Sequence, residues 1–226
     1  LLSLAGVSVA AYFCGLLFWP YGLLDPIHNP LKALAELSLF SGAKGVLLFE
    51  GRMIPHGQTP WYYLPKWIFI SVPLYIHLGI LALLLFLVKI LRAGNGRFLS
   101  MLLFAALFPP VYAILKHSFV YDSWRHFLFI YPPMVVLAAI AWDFVWDFLK
   151  GKKKILLGIL LAATLLEPLS WMVRFHPHEY IYFNPLVGGL KGAYGRYETD
   201  YWGNSLRMAS EWLSRYYKEQ NIRRPI

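Results

Sequence analysis

At 226 residues, with a formal charge of +9, a mean hydropathy of +0.51 and 58% hydrophobic residues, the chain is too apolar for an ordinary soluble domain. The excess of Lys and Arg is read as basic loops beside membrane spans, which excludes nucleic acid as a partner. The single Cys14 excludes an intramolecular disulfide and a cysteine-rich metal site.

A helix crossing about 30 Å of hydrocarbon needs about 20 mostly apolar residues. Five segments meet this, 1–19, 68–91, 98–115, 127–149 and 155–173, and together they predict an all-α integral membrane protein. No basic stretch precedes the first run, so 1–19 is a span and not a secretory signal, and the chain is expected to be the C-terminal part of a longer protein. An outer loop, 20–67, follows. Within it residues 30–41 predict an interfacial helix, with Asn29 as cap, Pro30 at the first helical position and Gly42 as the stop. Lys32 and Glu36 form a polar stripe on this helix, and Leu31, Leu34, Leu37, Leu39 and Phe40 cover most of the rest.

The loop ends on His56-Gly57-Gln58-Thr59-Pro60-Trp61-Tyr62-Tyr63-Leu64-Pro65-Lys66-Trp67. Its prolines hold the backbone extended, which sets Trp61, Tyr62 and Tyr63 at membrane level beside His56 and Lys66. Such a strip either anchors the next helix as an aromatic belt, or packs on lipid and sugar while the cations meet a phosphate. The span 68–91 carries His77 one turn after Pro73, an ionisable group within the membrane and so a candidate polar site. A basic loop with Lys89, Arg92 and Arg97 leads to span 98–115, interrupted by Pro109-Pro110.

The next loop closes on Tyr121-Asp122-Ser123-Trp124-Arg125-His126. A guanidinium at the interface binds phosphate through paired donors; its alternative is to snorkel, or to pair with Asp122. His126 stands ready to assist. Asp143 and Asp147, near the end of span 127–149, read as a solvated helix end beside Lys150 and not as a catalytic dyad. After Lys150, Lys152, Lys153 and Lys154, the last span carries Glu167 before Pro168, a kinked point that faces a cavity or holds a buried carboxyl against a cation.

The tail, 175–226, is expected to start an extracytoplasmic domain. His176, His178 and Glu179 lack the spacing of a helical zinc motif, so a divalent metal has no support and no cofactor is predicted. Beyond them lie a Gly- and Tyr-rich turn system with Tyr194, Tyr197, Arg196, Glu198 and Asp200, and a helix over 205–217. This stretch is suited either to carbohydrate or to a folded cap without ligands.

Basic loops favour the cytoplasm, which places 92–97 and 150–154 there with the N-terminus, and puts the loops 20–67 and 116–126 and the tail together on the outer face.

The run Tyr182-Phe183-Asn184-Pro185-Leu186-Val187-Gly188-Gly189, followed by Gly192-Ala193-Tyr194-Gly195-Arg196-Tyr197-Glu198-Thr199-Asp200-Tyr201-Trp202-Gly203, resembles prokaryotic GT-C membrane glycosyltransferases of the protein O-mannosyltransferase and aminoarabinose transferase superfamily. Pro60-Trp61-Tyr62-Tyr63-Leu64-Pro65 resembles the segment ahead of a span in that group, and Trp124-Arg125-His126-Phe127 with Tyr131-Pro132-Pro133 its later outer loop and span. The resemblance implies a partial GT-C fold in the bacterial or archaeal cytoplasmic membrane. It further implies transfer of a sugar from a polyprenyl-phosphate donor to a glycan, lipid or protein acceptor in the cell envelope. The family's acidic residue in a first large outer loop has no counterpart here, since Asp25 lacks the surrounding acidic motif, and the chain alone is expected to be inactive. Arg125, His126, Lys66 and His56 are the candidates for donor phosphate; Trp61, Tyr62, Tyr63, Tyr194 and Tyr197 are those for lipid or sugar packing. The rival readings are a transporter or flippase of lipid-linked glycans using Glu167 and His77, and a non-catalytic membrane scaffold.

Overall fold

The computed structural model describes residues 2–38, 45–93, 96–200 and 203–220, which fall in two units, 1–42 and 43–226. The first unit is helical, with α1 (Leu2–Leu17), α2 (Pro20–Leu24) and α3 (His28–Ser38). α1 runs over 16 residues from the first described residue, within the expected span 1–19. α3 begins at His28, earlier than the expected position 30, because Asp25 takes the capping role: its Oδ1 accepts from the N–H groups of Ile27 and His28 at 3.2 and 3.0 Å. Asn29 instead donates its amide to the Tyr21 carbonyl at 2.7 Å. The expected stop at Gly42, with Leu39 and Phe40, lies outside the described residues.

The second unit opens with strands β1 (Val46–Phe49) and β2 (Arg52–Pro55), an addition to the all-α expectation. They pair antiparallel from Val46↔Pro55 to Phe49↔Arg52 around Glu50 and Gly51, both at positive φ (53° and 79°), as a tight hairpin with right-handed strand twist requires. α4 (Tyr63–Ser71) follows. The expected span 68–91 then splits, because Val72 precedes Pro73 and is pushed to an extended conformation (ψ 138°). α5 (Leu74–Ala93) starts beyond the break, followed by α6 (Gly96–Leu115), continuous through Pro109 and Pro110. The expected span 127–149 opens as a tight 3-10 turn, Arg125–Ile130, before α7 (Tyr131–Phe148), whose two prolines sit in the first turn where N–H groups have no intrahelical partner. α8 (Lys152–Phe175) completes the set.

Among the described residues, four helices are long and apolar enough to cross a membrane: Leu74–Arg92, Gly96–Leu115, Arg125–Phe148 and Lys152–Phe175. Leu85 on α5, Phe104 on α6 and Ile159 on α8 are 71%, 63% and 61% exposed, an apolar surface that suits lipid and not water. The chain is thus a helical membrane protein. α5 and α7 pack most closely, where Gly79 lets the backbones meet: a Cβ there would stand 2.6 Å from Ala138 Cβ and 2.8 Å from Trp142 Nε1. The Trp142 indole donates to the Tyr75 carbonyl at 2.8 Å.

At the α4 end, the chain builds a cap over the helices. Phe49 of the hairpin, Tyr63 and Trp67 of α4, Trp124, Phe183 and Tyr197 share one buried core. The tail closes this core through a backbone bridge between Phe49 and Tyr197 and a bond from Gly51 N–H to the Arg196 carbonyl at 2.9 Å. It then runs through α9 (Gly189–Ala193) to α10 (Leu206–Glu219), near the expected 205–217. The glycine-rich run is steric in origin: a Cβ at Gly192 would stand 1.9 Å from the Val187 carbonyl oxygen, and Gly188 has φ 85°.

Candidate functional site

Asn184 fixes the tail to the helices. It is fully buried, and its amide donates to the carbonyls of Phe69 and Val72 at 2.7 and 2.8 Å. Its own N–H reaches the Ile70 carbonyl at 2.8 Å, and its Oδ1 accepts from Leu186 N–H at 3.1 Å. The α4–α5 break leaves carbonyls without intrahelical donors, and this one side chain supplies them. His77 serves the same break, with Nε2 3.0 Å from the Phe69 carbonyl.

Between the tail, the 3-10 turn and the half of α8 nearer Phe175 lies a cavity of about 430 Å³. Leu165, Leu169 and Met172 of α8 give it an apolar wall, while Ser71, Ser123, Arg125 and Glu198 bring polar groups. A second cavity of about 380 Å³ follows α7 and α8 past Trp142 and Asp143. Both cavities are lined by Tyr75 and Leu165, so the apolar surface continues from one to the other.

Arg125 places Nη2 3.4 Å from Asp122 Oδ2, each side chain about one-fifth exposed at 20%, and its guanidinium lies 5.6 Å from the Tyr121 ring centre. Tyr121 also meets the rings of His126 and His56 edge-on at 5.4 and 5.6 Å. Three of the four phosphate candidates therefore surround one tyrosine. The fourth is elsewhere: Lys66 pairs with Glu50 of the hairpin at 3.2 Å, and Glu50 also accepts from the Tyr62 hydroxyl at 3.3 Å.

The aromatic strip divides. Trp61 is 71% exposed and Tyr62 lies at the surface, but Tyr63 is buried and unavailable for packing on lipid or sugar. Its hydroxyl oxygen accepts from Ser123 N–H at 3.1 Å, and its O–H points to the Tyr121 carbonyl at 3.5 Å. Tyr63 thus holds the turn that carries Asp122 and Arg125, where Ser123 has φ 58°. Burial, reinforced by the Glu198 carboxyl, keeps the Tyr63 phenol protonated far above its usual range. Tyr197 is likewise a core residue, 5.8 Å from Phe49 and 5.5 Å from Trp67 ring to ring, while Tyr194 stands in the open.

Local sequence pattern sets Glu198 only within the Gly- and Tyr-rich turn system and does not show its partners, which lie far away in the chain. Its Oε1 accepts from Leu48 N–H at 3.1 Å, and its Oε2 is buried and accepts no hydrogen bond among the described residues. Burial pushes this carboxyl up to about 7, the neighbouring Asp122 carboxyl adds to the rise, and the Leu48 N–H and Arg125 oppose it.

The remaining candidates have local ties. Glu167 Oε2 accepts from the Tyr182 hydroxyl at 2.5 Å. His176 Nδ1 meets Glu179 at 2.5 Å while His178 turns to the Met208 sulfur at 2.8 Å, so the histidines diverge. Among the described residues no group of three or more His, Cys, Asp and Glu side chains is placed to hold a metal ion. Asp200 accepts from the Tyr180 hydroxyl at 2.7 Å and from Asn204 N–H at 3.1 Å, fixing the approach to α10.

No protein-family model, no curated protein and no solved structure matches the chain.

Proposed function

We propose that the protein is a GT-C-type glycosyltransferase, moving a sugar from a polyprenyl-phosphate donor to an acceptor on the extracytoplasmic face, with the cap on that side. The observation that carries this reading is the cavity in which Arg125 meets an apolar wall from α8. A lipid-linked sugar phosphate needs both: hydrocarbon surface for its isoprenoid chain and a guanidinium for its phosphate. As the bond from the sugar to the phosphate breaks, charge grows on the leaving phosphate, and a cation held in a partly desolvated cavity stabilises it. The continuation of the apolar surface along α7 and α8 suits a long chain lying in the membrane.

Transport makes a different demand, polar groups along a path through both leaflets. Glu167 and His77 are tied to Tyr182 and to the Phe69 carbonyl, which favours transfer.

The test is Arg125→Ala in membranes holding the intact protein, assayed for sugar release from a polyprenyl-phosphate donor. The expected loss is about 100-fold or more, the scale seen when one preorganised charge-stabilising donor is removed. Release at the unaltered rate would take Arg125 out of the site.

A further inference from the structure

We propose that α10 lies in the membrane surface beside the end of α8, its apolar half among lipid chains and its basic residues among anionic phospholipid headgroups. The proposal does not rest on sugar transfer or on Arg125. Two sets of contacts fix the level of the helix. His178, three residues beyond the last residue of the long apolar helix α8, places Nε2 2.8 Å from the Met208 sulfur in the first turn of α10. Asp200 accepts from the Tyr180 hydroxyl at 2.7 Å, and also from Asn204 N–H at 3.1 Å and from the Ser205 hydroxyl. The start of α10 is thereby held against residues 178–180, where α8 leaves the hydrocarbon.

Beyond that attachment the helix is uncovered. Every residue from Leu206 to Glu219 is exposed. Leu206, Ala209, Trp212, Leu213 and Tyr216 recur at helical spacing and fill one half of its surface, with Leu206 68% and Trp212 59% exposed. Arg207, Ser210, Glu211, Ser214 and Lys218 fill the other half, and Arg215 stands at the margin. A lone helix of 14 residues is marginal in water, so this one needs a surface to lie on. Its chemistry selects lipid. The Trp212 and Tyr216 rings stack at 5.4 Å, and amphipathic rings of this kind favour headgroup level. From Leu206 onward Arg207, Arg215, Lys218, Arg223 and Arg224 outnumber Glu211 and Glu219, and a basic helix with such a divided surface lies in an anionic interface. A second copy of the chain would set its own basic excess against this one, whereas anionic lipid neutralises it.

The test places an environment-sensitive NBD fluorophore on the intact protein, in a Cys14→Ser background, at Leu213→Cys on the apolar half or at Ser214→Cys on the polar half. Each is reconstituted into vesicles of phosphatidylcholine and phosphatidylglycerol in equal parts. The Leu213→Cys probe is expected to emit to the blue of the Ser214→Cys probe, to lose emission to a nitroxide on the lipid chains and to resist aqueous acrylamide. The Ser214→Cys probe should show the reverse. In phosphatidylcholine alone, the lipid quenching at Leu213→Cys should fall. A Leu213→Cys probe open to acrylamide overturns the proposal. So does one shielded from acrylamide yet untouched by the nitroxide lipid, because protein then covers the face. Lipid quenching that is equal with and without phosphatidylglycerol overturns the choice of an anionic surface.

Discussion

Asn184 shows how much one side chain can carry. With its amide in place, the carbonyls of Phe69 and Val72 are satisfied inside the protein; without it, Val72 loses its side-chain donor and Phe69 is left with His77 alone. Asn184→Ala is expected to cost about 2–3 kcal/mol, the penalty of orphaned buried acceptors, and to lower the melting temperature of the purified protein by about 5 °C or more. A melting curve equal to the wild type's would show that water replaces the amide without penalty. The residue sits in a Tyr-Phe-Asn-Pro run, yet its contacts with positions some 115 residues earlier are not legible in a linear pattern. The same holds for Glu198 and Asp122. The Arg125–Asp122 ion pair, by contrast, was legible, since an interfacial arginine three residues after an acid already offers it.

At the scale of elements, hydrophobic runs marked the long helices well, and single prolines explain where the pattern misled. Val72-Pro73 sits inside one unbroken apolar stretch, so hydropathy cannot show that α4 belongs to the cap and α5 to the membrane. The hairpin was hidden for another reason: Glu50-Gly51 lacks the Asn or Asp that announces a two-residue turn. Helix contacts also turn on single positions. At Gly79 even a methyl group would press into Ala138 and Trp142, so Gly79→Ala should destabilise the protein by about 1–3 kcal/mol despite its better helix propensity. Gly158→Ala is the control, because a Cβ there meets Trp146 at an ordinary 3.5 Å. Equal heat stability of the two variants would show that α5 and α7 separate readily to admit the extra carbon.

For the whole molecule, the functional reading requires the cap and the lysine-rich turn before α8 to face opposite compartments. In a Cys14→Ser background, a cysteine at Tyr194, which is 78% exposed, should react with an impermeant maleimide on intact cells. Lys153→Cys should react only after the membrane is opened. Labelling of both from the same side would remove the basis for an extracytoplasmic donor site.

The cap core has a consequence for the order in which the protein matures. It joins residues near 49, 63, 124 and 183 with Tyr197, so synthesis supplies its last partner only after the sequence of all four long helices. Those helices can enter the bilayer one by one, but the Glu198 side of the cavity cannot close until the tail threads back under the hairpin. The cavity therefore closes only once the tail has been made, and a nascent chain stopped short of Asn184 would carry the long helices without the tail side of that cavity.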